Sequence, residues 1–245
     1  MTSIIHIIRL KGHKDVITDC LFLEKKNKLI TSSKDSLIKI WDLDTQHCVQ
    51  TIVNHREEVW AIDVNPQQTR LVTGSVDNYL RFWSLDNEEW SSISTSSEMD
   101  DVQEEYVAKY YGTLERKSRE RVAKIRFNHE GTLLAVQSTD NSVELWELRS
   151  KDQIQKKLKK RRTKEKKKKD LLMESDPEAA KEIPDVVPQL PMDEYNLAHT
   201  VTASNKVKSF AFSQNSSQVR KINLSNTNVT SWQLHWLTMK LKFTD

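Results

Sequence analysis

Short runs of alternating apolar and polar residues divide this chain into strand-sized pieces. Val16–Phe22, Lys28–Ser32, Leu37–Trp41 and His47–Ile52 each fit a half-buried strand, with turns rich in Lys, Asp, Asn and Ser between them. Val59–Val64, Arg70–Thr73 and Tyr79–Trp83 repeat the first three. The fourth strand of that second set is predicted at Val107–Tyr111, only after a break. Val122–Phe127, Leu133–Gln137 and Ser142–Trp146 begin a third set, and Asn196–Val201 completes it after a second, longer break. Val207–Phe212 and Ile222–Leu224 are the strand candidates of the C-terminal stretch. The expected class is all-β, built from four-stranded antiparallel units.

Polar residues punctuate these strands at fixed intervals. Gly12-His13 stands 22 residues before Asp35, and Trp41-Asp42 follows six residues later. His55, Asp77 and Trp83 keep both intervals, offset by 42 residues. A period in the low forties with a Gly-His…Trp-Asp signature resembles the WD40 family, whose repeat is one propeller blade of four short strands. The resemblance implies a hydrogen-bonded clip in each blade: His13, Thr31, Asp35 and Trp41 in the first, His55, Thr73, Asp77 and Trp83 in the second. In that pattern the carboxylate holds the imidazole, which reaches the hydroxyl and the indole N–H. His, Asp and Thr are also catalytic residue types, but a repeated set points to architecture. Asp140 and Trp146 keep the six-residue interval in a degenerate third blade. Ser118 stands at its His position and Val136 at its hydroxyl position, so this blade is expected to lack the polar clip.

The fold expected is a partial WD40 β-propeller of about three to four blades with two long loop insertions. Residues 1–93 hold blades one and two, preceded by Ile4–Arg9 as the outer strand of a preceding blade, so that the sequence opens in mid-blade. Residues 94–106 form an acidic, Ser-rich loop, 107–150 the third blade, and 151–195 a basic then acidic flexible insertion. Residues 196–245 form a degenerate fourth blade or an atypical tail. Both insertions lie between the third and fourth strands of successive blades, which places them on one face.

Charge changes the picture at one place. Residues 156–169 carry eleven Lys/Arg against one Glu, a net of +10 in a chain whose total is +3, so the remainder carries −7. The arm comprises Lys156, Lys157, Lys159, Lys160, Arg161, Arg162, Lys164, Lys166, Lys167, Lys168 and Lys169. Like charges this dense repel, so it is expected to be extended or weakly helical in isolation. It has no aromatic residues for base stacking, so any nucleic-acid contact is expected to be sequence-poor and salt-dependent. Cys20 and Cys48 fall in predicted strands and are expected to be reduced core residues. No apolar run approaches the roughly 18 residues that span a bilayer. There is no Gly-rich phosphate loop and no zinc-ligand spacing, so no catalytic residue, metal or cofactor is expected.

A narrower resemblance comes from Tyr110-Tyr111-Gly112-Thr113-Leu114-Glu115-Arg116, then Arg119-Glu120-Arg121-Val122, together with the Lys/Arg run after Trp146. This combination resembles the WD-repeat subunit of the UTP-B subcomplex of the small-subunit processome. The resemblance implies a non-enzymatic scaffold in small-subunit (18S) ribosomal RNA maturation, located in the nucleus and nucleolus. It implies protein subunits of a large ribonucleoprotein assembly as partners. The arm would give nucleolar targeting, contact with U3 small nucleolar RNA or precursor ribosomal RNA, or both. No membrane and no small-molecule substrate is implied. A substrate adaptor for ubiquitin ligases, or a signalling scaffold, would use the same blades without needing the arm.

Overall fold

The computed structural model describes residues 9–85, 106–175, 188–203, 207, 209–212, 221–225 and 236–238. The proposed outer strand at Ile4–Arg9 and the acidic Ser-rich loop fall almost wholly outside these residues.

Three four-stranded antiparallel sheets follow one another along the chain. The first is β1 (Ile17–Leu23), β2 (Lys28–Ser33), β3 (Ile38–Asp42) and β4 (Cys48–Ile52). The second is β5 (Val59–Val64), β6 (Arg70–Ser75), β7 (Tyr79–Ser84) and β8 (Lys109–Glu115). The third is β9 (Val122–Phe127), β10 (Leu133–Ser138), β11 (Ser142–Leu148) and β12 (Tyr195–Thr202). A three-stranded sheet follows: β13 (Ser209–Phe212), β14 (Lys221–Ser225) and β15 (Trp236–Thr238). Strands pair in chain order within each sheet, as propeller blades do.

Side chains bridge the innermost strands of successive blades. The Thr18 hydroxyl donates to the Val59 carbonyl at 2.6 Å. Asp19 accepts the Ile62 amide at 3.3 Å, and Asp63 accepts the Phe127 amide at 2.6 Å. Lys124 reaches Ser209 Oγ at 2.8 Å in the fourth sheet. Apolar strand faces fill the space between blades, where alternation puts every second residue inside. Leu23, Ile30, Ile40 and Ile52 meet Val59, Ile62 and Leu71 between blades one and two. Val72, Leu80 and Phe82 meet Val122, Ile125 and Leu134 between two and three. Ala135 and Val143 meet Phe210 beyond them.

Two strand expectations need correction. The outer strand of blade two is Lys109–Glu115, two residues later than predicted at its start. Val107 and Ala108 are buried in the core shared with blade one, and both their amides donate to Gln50 Oε1 at 2.9 Å. That side chain holds the incoming segment against the first blade before pairing with β7 begins. Cys20 and Cys48 are exposed, not core residues. Cys20 sits opposite Thr31 in the sheet, and a shift in the β3–β4 register sets Cys48 opposite Trp41, out of the Gln50–Ile52 row that faces blade two.

The turns between first and second strands join along one face. Lys25 donates through its amide to Gln68 Oε1 at 3.1 Å, and Gln67 donates to the Glu130 carbonyl at 3.2 Å. Each third strand ends beside the turn of its own blade, with Leu85 N bonded to Thr69 O and Leu148 N to Thr132 O. The chain therefore leaves blades two and three for its insertions at equivalent points on this face.

Candidate functional site

In blade one the predicted residues meet. The Trp41 indole N–H donates to Thr31 Oγ1 at 2.8 Å, and His13 Nε2 lies 2.8 Å from the same hydroxyl. His13 Nδ1 lies 2.9 Å from Asp35 Oδ2. A carboxylate only accepts, so Nδ1 carries the hydrogen, and the threonine hydroxyl, having accepted from the indole, donates to Nε2. Burial of Asp35 opposes its charge, but the Lys14 amide, His13 and the Leu37 amide outweigh that and hold its carboxyl below the usual value.

Blade two uses the same residues with the opposite hydrogen direction. His55 Nε2 lies 2.8 Å and Trp83 Nε1 3.2 Å from Thr73 Oγ1. Asp77 does not reach the imidazole: Arg81 stands between them, 2.7 Å from Asp77 Oδ2 and 2.8 Å from His55 Nδ1. The guanidinium has only donors, so Nδ1 accepts and Nε2–H donates to the threonine. Thr73 then sends its own hydrogen to the Arg81 carbonyl, 3.4 Å away. The two histidines are opposite tautomers. Burial, then the nearby Arg81, pushes His55 down to about 4. This arrangement predicts that Asp35→Asn lowers unfolding free energy by about 1–3 kcal/mol and Asp77→Asn by less, because Asp77 acts through an arginine that keeps its imidazole bond. Urea denaturation of the two variants measures the difference, and a larger loss for Asp77→Asn would overturn the assignment.

Blade three has a clip of another composition, contrary to expectation. Ser118 Oγ donates to Asp140 Oδ2 at 2.8 Å, and its amide donates to Glu144 Oε1 at 2.7 Å. Glu144 is fully buried and accepts the Trp146 indole N–H at 3.2 Å. With Val136 lacking a hydroxyl, this carboxylate supplies the acceptor that the indole needs. Arg116 lies buried beside it, donating to Ser138 Oγ at 2.8 Å, the Asp77 carbonyl at 2.9 Å and the Glu120 carbonyl at 2.5 Å.

The basic arm, expected to be extended or weakly helical in isolation, is helical in the folded chain. Helix α1 spans Lys151–Ser175, including all of 156–169. Lys, Arg, Gln, Glu and Leu are all strong helix formers, which offsets part of the repulsion. Ser150 and Gln153 start it reciprocally: Gln153 N reaches Ser150 Oγ at 3.4 Å, and Ser150 N reaches Gln153 Oε1 at 3.3 Å. Asp152 adds negative charge to the first turn.

The returning chain seats the helix. A short turn of helix, α2 (Pro191–Glu194), begins at a proline and runs straight into β12. Asp193 is buried and accepts from Arg161 at 2.6 Å; Lys157 reaches Met192 O at 2.5 Å. Arg149 donates to the Tyr195 carbonyl at 2.6 Å and to Asn196 Oδ1 at 2.8 Å. On its other side α2 rests on β8. Tyr111 Oη donates to Glu194 Oε1 at 2.5 Å, and Arg70 stacks on the Tyr111 ring at 4.3 Å. A Cβ on Gly112 would meet Pro191 Cδ at 2.6 Å. The Tyr111–Gly112 stretch is therefore the seat for α2, and Arg116, four residues on, serves the third clip. Of the arm's cations, Lys157 and Arg161 are thus engaged with the fold. Lys156, Lys159, Lys160, Lys164, Lys166, Lys167 and Lys168 are exposed along α1.

Residues 4–42 and 46–84 match the family model for the WD domain, G-beta repeat. The fold is that of a partial WD40 propeller, and the chain carries WD40 repeats over these two stretches. Among individual relatives, the chain is similar to the U3 small nucleolar RNA-associated protein 12 of Saccharomyces cerevisiae, 34% identical over 137 residues, 54% of this chain and 13% of that protein. It is also similar to the WD repeat-containing protein 89 homolog of Dictyostelium discoideum, 46% identical over 56 residues, 23% of this chain and 15% of that protein. An F-box/WD repeat-containing protein 7 of Drosophila melanogaster is 35% identical over 52 residues, 21% of this chain and 4% of that protein. The chain thus spans less than a sixth of the length of each of these relatives in the matched regions.

Proposed function

We propose that this protein is a non-catalytic scaffold in ribosome biogenesis, working in small-subunit ribosomal RNA maturation in the nucleolus. Its blades bind protein subunits of a ribonucleoprotein assembly. Helix α1 provides nucleolar targeting, contact with U3 small nucleolar RNA or precursor ribosomal RNA, or both. The observation that carries this reading is the row of exposed cations on a helix fixed to the disc by Arg149, Lys157 and Arg161. Phosphate contacts of this kind attract any RNA strand and weaken with salt. The yeast relative, named for association with U3 small nucleolar RNA, matches over the longer part of the chain and supports the same setting. The similarity to an F-box/WD repeat protein supports an adaptor instead, over a shorter stretch with no need of α1.

Changing Lys164, Lys166, Lys167 and Lys168 to Gln removes charge while sparing the seat. This variant is expected to lose nucleolar accumulation. With single-stranded RNA, its slope of log affinity against log salt should fall by about 3, roughly 0.7 per lost phosphate contact. Fluorescence localisation and binding at several salt concentrations test both. Unchanged localisation together with an unchanged salt slope would return the adaptor reading to first place.

A further inference from the structure

We propose that the face opposite α1 carries an anion-recognition site centred on Trp60, whose ligand is a peptide segment with apolar residues between its carboxylates. Trp60 is the second residue of β5, at the blade end away from the insertions. The Arg121 guanidinium lies 3.7 Å from its ring centroid, and the Lys34 ammonium 4.8 Å. Arg121 comes from the segment before β9 in blade three and Lys34 from the turn after β2 in blade one, so three blades converge here.

The donors of this cluster have no acceptors among the described residues. The Trp60 indole nitrogen is buried without a partner. The indoles of Trp41, Trp83 and Trp146, by contrast, each donate to a hydroxyl or carboxylate within 3.2 Å. Arg121 and Lys34 are half-buried, and their side chains are held by the ring and by no carboxylate or carbonyl of the described residues. The guanidinium and the ammonium, both packed on one ring, offer donor sets to successive carboxylates of one ligand, and the buried indole N–H lies within the same cluster.

The surroundings select the ligand. Arg121 and Lys34 already cover the indole, so a nucleobase has no free platform there. Val16, Ile17 and Val76 stay exposed at 61%, 52% and 37%, and Val16 O accepts the Lys34 amide at 3.0 Å. Cations flanked by apolar steps fit a chain that alternates carboxylates with aliphatic side chains.

The test uses the full chain and, in parallel, the chain with Lys164, Lys166, Lys167 and Lys168 changed to Gln, so that binding to α1 is separated. The probe is a short peptide of alternating aspartate and leucine, titrated while the Trp60 indole N–H signal is followed by NMR and assigned through Trp60→Phe. The signal is expected to shift in both chains. Arg121→Gln and Lys34→Gln should each weaken peptide binding about tenfold or more, with only a small drop in melting temperature, since each charge meets the fold only through its contact with the Trp60 ring. Binding that leaves the Trp60 signal unmoved would overturn the site. So would affinities within about twofold of wild type in both single variants. A single-stranded RNA that shifts the signal at lower concentration than the peptide would overturn the assignment to a peptide.

Discussion

Replacing Arg116 with leucine is expected to lower the unfolding free energy by about 3–5 kcal/mol, because it strips a buried cation from a site built around carboxylates. The side chain is 3% exposed and its guanidinium ties three places together. It bonds the Asp77 carbonyl in the blade-two turn, the Glu120 carbonyl in the loop entering blade three, and Ser138 at the end of β10. Burial pulls its pKa down, while Glu144, Asp77 and Asp140 pull the other way, so the charge is held by its acidic neighbours. Leucine fills much of the volume but leaves three acceptors unbonded and Glu144 buried without its neighbouring positive charge. Arg116→Lys should recover only part of the loss, since one ammonium cannot span acceptors set around a planar fork. Urea denaturation of the three proteins reads this directly. A loss below about 1 kcal/mol for Arg116→Leu would mean that blade three holds together through its apolar strands alone.

The blades themselves are legible in the sequence because two independent signals agree. Alternation places the strands, and the His–Asp–Trp intervals fix their register, so β1–β3 and β5–β7 fall within a residue or two of expectation. Single side chains acting at a distance are harder to read. The start of β8 depends on Gln50, which holds Val107 and Ala108 against another blade, and local patterning carries no trace of that contact. The third clip was hidden for a related reason. Its acceptor, Glu144, stands four residues after the turn aspartate, where Lys39 and Arg81 stand in the other blades. That position takes no fixed residue type: Lys39 bonds Thr51, Arg81 intervenes between His55 and Asp77, and Glu144 replaces the hydroxyl. The helical state of α1 was legible in part. Ser150 and Gln153 stand at capping-box spacing, but the weight of like charge obscured them, and the seat on Asp193 lies 32 residues from Arg161.

Between about pH 6 and 4 the folded protein is expected to hold nearly constant stability, because His55 and Asp63 titrate with opposite sign. His55 has a pKa of about 4 in the fold against 6.5 when unfolded. As pH falls below 6.5, the unfolded chain takes up a proton that the buried imidazole refuses, and stability drops until about pH 4. Asp63 is pushed up to about 6 from 3.8, first by burial, with Asp19 adding in the same direction and the Phe127 amide and Arg126 opposing. Here the folded chain binds the proton first, so stability rises as pH falls from about 6 to 3.8. Each effect is worth up to about 3 kcal/mol at about 1.4 kcal/mol per pKa unit, so they largely cancel over their common range. The lowered carboxyls of Asp35 and Asp140 act only below 3.8, outside it. The cancellation makes single variants informative. Asp63→Asn, which removes the opposing group, should turn the flat profile into a loss of about 2–3 kcal/mol on acidification from pH 6 to 4. His55→Gln, whose amide can still donate towards Thr73 and accept from Arg81, should give the reverse, a protein more stable at pH 4 than at pH 6. Denaturation profiles of wild type and both variants across this range decide it. Parallel curves for all three would mean that neither group is shielded from water as the fold places it.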